Sequence, residues 1–142
     1  MSALTQARMV RTTTMRVVSL PIPGSTKVYQ GGMACIDISA GLAKNGAAAN
    51  ANLVRVGTWT ETVDNSGSTA TSTASVTLEH EIVGTWFANA TGANAVTSSD
   101  LFADVYILDD QTVTKASSGN SKAGRVWAVD SVNGVLVESQ TL

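Results

Sequence analysis

The chain has 142 residues, of which 44% are hydrophobic and only 14% are charged, and its formal net charge is −2. This length fits one domain with its own core, and the charged fraction lies well below the roughly 25% that is usual for soluble domains. No window is long enough for a membrane span, the N-terminus lacks the apolar core of a signal peptide, and a single cysteine excludes an internal disulfide. A surface so poor in charge predicts that a partner covers part of it.

The N-terminal segment is basic, whereas the rest of the chain is acidic. Residues 1–27 hold four bases and no acid, and the remainder holds five bases and eleven acids, so the two parts carry +4 and −6. We predict an extended basic N-terminal arm over residues 1–26, followed by a single β domain over residues 27–142.

The arm has two further interpretations beside a docking segment. A basic terminal stretch is often a passive flexible tail, and three arginines also permit a weak nucleic-acid patch, although no aromatic residue lies between them for base stacking. The apolar residues in its second half favour docking, because an exposed apolar strand needs something to pair with. The predicted contact residues are Arg8, Arg11, Arg16, Val17, Val18 and Leu20.

Beyond the arm, the chain reads as short β-branched and aromatic runs separated by polar turns. A hairpin is predicted across Gly31-Gly32, a loop over residues 40–52, and two more hairpins through Asp109-Asp110 and Asn133-Gly134. The inward parity of the strand over residues 53–63 shifts near Gly57, which indicates a β-bulge. The predicted strands cover residues 14–20, 27–30, 33–38, 53–63, 74–82, 84–87, 104–108, 112–115, 124–130 and 135–138. The pattern predicts an all-β, mainly antiparallel fold: a small β-barrel or sandwich with an extended N-terminal arm.

Candidate chemistry is sparse. His80, the only histidine, lies on the apolar parity of its strand, and the flanking Glu79 and Glu81 point to the other face, so the three cannot converge on one ion. Cys35 lies in an apolar strand and reads as a small hydrophobic residue. The adjacent Asp109 and Asp110 are typical of a solvated turn. We therefore predict no catalytic, cofactor-binding or metal site.

Each of the three tryptophans, Trp59, Trp86 and Trp127, lies in a predicted strand. Tryptophan combines a large apolar area with one hydrogen-bond donor, which suits it to a core or to a subunit interface. We predict core or interface anchors at these positions, with a sugar-stacking platform as the alternative.

Several stretches, in this order and spacing, resemble the head decoration (capsid cement) proteins of tailed bacteriophages. They include KVYQGGMACID at residues 27–37, VGTWTETVDNSG at 56–67, VYILDDQTV at 105–113 and AGRVWAVD at 123–130. The resemblance runs from about Lys27 to Val137, departs from the expected pattern at residues 83–87, and leaves residues 1–26 largely outside. The similarity lies in the pattern of strands and turns and includes no catalytic residues.

The resemblance implies a β-rich, often trimeric protein that binds the outer face of the assembled, expanded head and stabilises it. The implied partners are the major capsid protein and further copies of the chain in a homotrimer, without nucleic acid or membrane. The implied location is the outer surface of the virion head, after synthesis in the host cytoplasm. Two alternatives remain open: a tail or fibre module that binds a host-surface glycan, and a small hydrolase.

Overall fold

The computed structural model describes residues 16–79 and 84–139, which form twelve strands and two short 3-10 helices. Strands account for 52% of the described residues and helices for 5%, so the predicted all-β, mainly antiparallel class is confirmed. Within the described residues, no helix has the length and apolar character needed to cross a membrane. The 3-10 helices cover Gly92–Asn94 and Ser98–Asp100. The strands are β1 (Val17–Ile22), β2 (Thr26–Val28), β3 (Met33–Asp37), β4 (Leu42–Asn45), β5 (Leu53–Trp59), β6 (Val63–Asn65), β7 (Ser72–Leu78), β8 (Gly84–Asn89), β9 (Asp104–Ile107), β10 (Thr112–Thr114), β11 (Lys122–Asp130) and β12 (Gly134–Glu138).

The strands form two main layers. The first half of the chain makes a five-stranded sheet in the order β1-β7-β5-β3-β4, with the short β2-β6 pair beside it. The second half makes a closed barrel in the order β10-β8-β12-β11-β9, in which only the β10–β8 pair is parallel. Closure leaves the barrel without a free strand edge, so its outer surface presents side chains instead of unpaired backbone groups.

Two apolar clusters hold these layers together. The first fills the barrel and includes Met33, Cys35 and Leu53, which the five-stranded sheet contributes. The second lies on the opposite face of that sheet, because Ala34 belongs to it whereas Met33 and Cys35 belong to the first, and there Trp59 and Val76 pack with Val28 of β2. The sheet therefore shares the first cluster with the barrel, and the second contains residues of the first half of the chain alone.

The predicted bulge near Gly57 is confirmed. The register between β3 and β5 shifts between Ala34 and Cys35, which face Gly57 and Arg55, so Val56 is the extra residue. Val56 and Trp59 have opposite parity, yet both enter the second cluster. The bulge therefore lets Val56 and Trp59 face the second cluster, whereas Leu53, at the other end of β5, faces the first.

The hairpins of the second half are confirmed, whereas the first predicted hairpin is wrong. β9 pairs with β10, and β11 pairs with β12. Around Gly31-Gly32, however, β2 pairs with β6, and β3 pairs with β4, which lies inside the predicted loop over residues 40–52. The sequence over β4 (Leu-Ala-Lys-Asn) has weak strand propensity, and pairing with β3 overrides it.

Part of the predicted N-terminal arm, residues 1–26, belongs to the β domain. Residues 17–22 form β1, which pairs antiparallel with β7 of the same chain along its whole length. The strand continues through Pro21, past the predicted end at Leu20, because an edge strand tolerates a residue without an N–H group. The domain therefore includes β1, and Arg8 and Arg11 lie outside the described residues.

Candidate functional site

The outer wall of the barrel carries an exposed row of apolar side chains. Trp86 of β8 is paired with Leu136 of β12, which is paired with Ala128 of β11, so the three lie side by side across the wall. The exposed fraction of Trp86 is 42%. Gly84 leaves room for Leu136, because a Cβ atom at Gly84 would stand 2.7 Å from a Leu136 methyl carbon.

A second aromatic pair extends this row. The register between β11 and β12 shifts between Val126 and Ala128, so Trp127 is an extra residue of a bulge. Trp127 is 45% exposed and meets the ring of Phe102 edge to face, with 5.4 Å between the ring centroids and an interplanar angle of 88°. Edge-to-face contacts hold rings in a fixed arrangement. We call Trp86, Phe102, Trp127 and Leu136 the aromatic face.

The backbone fixes Phe102 in an unusual position. Its φ angle is +66°, in the left-handed region that bulky residues rarely adopt. The Phe102 N–H donates to the carbonyl of Val126 at 2.8 Å, and the Val126 N–H donates to the carbonyl of Ala103 at 3.0 Å. The Phe102 side chain nevertheless remains 60% exposed. Strained residues concentrate at functional sites, and this strained residue carries an exposed apolar ring.

Two carboxylates lie within three residues, along the chain, of aromatic residues of this face. Asp100 accepts hydrogen bonds from the Thr97 N–H and hydroxyl in a capping box, and it precedes Phe102 by two residues. Asp130, at the end of β11, accepts the N–H groups of Val132 and Asn133. These backbone donors lower the pKa of both carboxyls, so both are ionised at neutral pH.

The three tryptophans separate into two roles. Trp59 is 1% exposed, belongs to the second cluster, and donates its indole N–H to the Asn45 side chain at 3.0 Å. It is a core residue. Trp86 and Trp127 are the exposed pair. No feature of the sequence indicated Phe102 or Leu136 as their neighbours.

The predicted contact residues of the arm include both packed and exposed side chains. Val18 and Leu20 pack against the second cluster, and Val17 is 56% exposed. The carbonyl of Arg16 accepts the N–H of Leu78 at 2.8 Å, which places Arg16 next to the end of β7. The apolar side of β1 is thus engaged within its own chain.

The candidate chemical groups have structural surroundings. Cys35 is fully buried in the first cluster, and burial raises the pKa of its thiol to about 12, so the reading as a small hydrophobic residue is confirmed. Asp37 is held by Ser39, Lys44 and Asn50, and these hydrogen bonds, above all that of Ser39, keep the pKa of Asp37 well below its usual range. His80 lies outside the described residues. Among residues 16–79 and 84–139, no three His, Cys, Asp or Glu side chains come together as a metal-binding group.

Arg55 is a buried charge that the sequence analysis missed. Its guanidinium donates to the carbonyls of Ala123 (2.7 Å) and Glu138 (2.6 Å) and to Glu79 Oε1 (2.5 Å), and it lies over the ring of Phe87 at 5.4 Å. The one feature of the sequence that could have indicated it is a lone arginine in the apolar run from Leu53 to Val56. Arg55 links the five-stranded sheet to three strands of the barrel.

A polar cleft of about 800 Å³ lies between β5 and the barrel. Its charged side chains pair with each other, since Lys122 contacts Asp104 at 3.1 Å and Arg125 contacts Glu138 at 3.2 Å. These pairs neutralise the cleft, so it offers no net charge to a ligand.

Comparisons of the chain with protein-family models, with curated proteins and with solved structures give no match. The fold and the surfaces described above therefore carry the functional argument. The exposed aromatic face is the feature of the described residues that most resembles a binding site, because aromatic residues are enriched and charges depleted at the cores of interfaces.

Proposed function

We propose that the protein is a head decoration protein of a tailed bacteriophage, which binds the outer surface of the assembled, expanded shell and stabilises it. The observation that carries the proposal is the aromatic face, with three exposed rings on the outside of a closed barrel. A folded monomer gains nothing from leaving such rings in water, whereas a surface protein uses them as anchors. The sequence resemblance to decoration proteins supplies the identity of the partners.

The charges of the described residues support a binding role for the N-terminal segment. Five of the seven lysines and arginines in these residues form ion pairs, and only five of the ten acids do. The N-terminal segment adds Arg8 and Arg11, with no acid near them in sequence, to a body that holds more acids than bases. Such a segment suits an acidic partner, either the major capsid protein or another copy.

The proposed mechanism is stabilisation through many modest contacts. A homotrimer bridges several shell subunits, and once one contact forms, the others become intramolecular and bind with avidity. Because the energy of these contacts is gained only in the assembled shell, binding shifts the equilibrium toward that shell. No chemical step is part of this function.

Co-sedimentation tests the proposal. The purified chain is mixed with expanded, undecorated heads of the phage that encodes it, and the pelleted fraction is measured against chain concentration. We expect saturable binding and a higher temperature of shell disruption. Heads that pellet without the chain at micromolar concentration would refute the proposal.

A second candidate function is binding of a glycan on a host surface. Exposed Trp86 and Trp127 favour it, because flat aromatic rings stack on sugar rings. Glycan-array binding that Trp127→Ala abolishes would support this candidate. It would not by itself exclude binding to the shell, which the sedimentation experiment measures separately.

A further inference from the structure

The described residues leave the aromatic face uncovered. The exposed fractions of Trp86, Trp127 and Phe102 are 42%, 45% and 60%. Phe102 keeps this exposure although its backbone is strained and held by hydrogen bonds on both sides. A cover for these rings must therefore come from outside the described part of the chain.

The carboxylates near the aromatic face indicate which kind of segment would bind it. Asp100 and Asp130 form no ion pair within 4 Å with any described residue, and both are ionised at neutral pH. An apolar centre with acidic residues beside it suits a segment that is apolar and basic at once.

Residues 1–15 of this chain have that composition. They hold Arg8 and Arg11, no acid, and the apolar residues Leu4, Met9 and Val10. Methionine makes favourable contacts with aromatic rings and adapts to irregular surfaces. Beyond residue 27, no stretch of 15 residues in the sequence contains two arginines.

The position of Arg16 allows such a segment to reach a neighbouring copy. The carbonyl of Arg16 is bonded to Leu78 of β7, the residue before Glu79, and Glu79 accepts the hydroxyl of Thr85 beside Trp86. Fifteen residues in extended form span up to about 50 Å, and a domain of this length has a radius of gyration of about 14 Å.

We propose that the aromatic face binds the N-terminal residues 1–15 of a second copy of this chain. The inference rests on the oligomer that the proposed function includes, and it names the contact that builds the oligomer. A segment of one copy on a face of the next is a heterologous contact, and repetition of such a contact closes into a ring such as a trimer. Arginines pair with Asp100 and Asp130 while Met9 and Val10 pack on Trp127 and Phe102.

A double-mutant cycle on the full-length chain tests this contact. Sedimentation equilibrium gives the dissociation constant of the assembly for R8Q/R11Q, for D100N/D130N and for the combined variant. Asparagine keeps the acceptor oxygen that caps Thr97 and the turn at Val132, so the fold is preserved. We expect each pair to raise the dissociation constant about 10-fold, and the combined variant to raise it no further, where independent sites would give about 100-fold.

Two controls separate the contact from general effects of charge and folding. E61Q/D109N removes the same two negative charges from other elements and is expected to leave the dissociation constant unchanged. Phe102→Gly removes one ring at a position whose φ suits glycine, and we expect weaker assembly with an unchanged melting temperature. Melting curves of all variants identify any that fail to fold.

Three results would overturn the inference: a monomeric full-length chain at 100-fold the concentration at which heads are saturated, additive effects in the cycle, or weakening by D100N/D130N without weakening by R8Q/R11Q. A chain that is monomeric yet decorates heads refutes this contact and leaves the proposed function intact. A chain that assembles through the contact but never binds heads refutes the proposed function instead.

Discussion

At the scale of single residues, Arg55 shows how one side chain joins the two halves of the fold. Its guanidinium binds the Glu79 carboxylate and two barrel carbonyls from a fully buried position. Glu79 Oε2 is buried without a hydrogen-bond partner. A buried pair of this kind contributes little net energy against an apolar replacement, but breaking it leaves one charge uncompensated.

Removing Arg55 alone should therefore cost more than removing the pair. We expect Arg55→Leu to lower the free energy of unfolding by about 3–5 kcal/mol, and the double variant Arg55→Leu with Glu79→Leu to recover part of that loss. Urea denaturation measures both. Lys27→Ala breaks the exposed pair with Asp64 and should leave the midpoint nearly unchanged. Equal losses in the single and double variants would contradict this account.

The buried Cys35 thiol makes stability depend on alkaline pH. Its pKa rises from 9.0 to about 12 in the folded chain because of burial. Between these values the unfolded chain has released the proton and the folded chain still binds it. The free energy of unfolding should therefore fall by about 1.4 kcal/mol for each pH unit above 9.

Cys35→Ala isolates this contribution, because it removes the thiol and leaves the other groups that titrate at high pH. We expect the stability of the variant to fall less steeply between pH 9 and pH 11, as measured by denaturant titrations at each pH. Rapid labelling of native Cys35 by a thiol reagent at pH 8 would contradict its burial.

At the scale of elements, the bulge in β5 depends on the absence of a side chain at Gly57. A Cβ atom there would collide with the carbonyl of Thr77 on the paired strand β7. Gly57→Ala must separate β5 from β7, and we expect a loss of about 3 kcal/mol in the free energy of unfolding.

Gly67 provides a matched control for that substitution. It lies in a loop, and a Cβ atom there would meet no atom within 4 Å. Gly67→Ala should change the melting temperature little. Calorimetry compares the melting temperatures of Gly67→Ala and Gly57→Ala directly. A similar loss in both variants would show that the strand contact is unimportant.

At the scale of the whole molecule, the N-terminal region has two parts with different roles. β1 belongs to the domain, because Ile22 is fully buried and the strand pairs with β7 throughout. Residues 1–13 precede that strand.

Two truncations should therefore behave differently. Deletion of residues 1–13 should leave the melting temperature unchanged, weaken binding to heads and reduce its sensitivity to salt, because Arg8 and Arg11 are lost. Deletion of residues 1–22 should also remove β1, expose the edge of β7 and cause aggregation. Circular dichroism and sedimentation with heads measure both effects. Equal decoration by the first truncation and the full chain would make the segment a passive tail.

The amino-acid sequence was enough to predict the fold class, the hairpins of the second half, the bulge at Gly57 and the apolar character of Cys35. Each of these depends on local information: alternation of apolar residues, turn residues such as Asn133-Gly134, and a shift of parity along one strand. Burial of Trp59 and exposure of Trp86 and Trp127 were beyond this information, because all three lie in similar strands.

Strand pairing and the exposure of each surface depend on tertiary contacts, which the sequence pattern does not record. β2 joins β6 and β4 joins β3 because distant segments compete for the same edges, and local propensity does not record that competition. Likewise, the aromatic face exists because a bulge turns Trp127 outward and a strained turn brings Phe102 against it from another part of the chain. Contacts between residues far apart in sequence set both outcomes, so the candidate site emerged from the packing of the barrel.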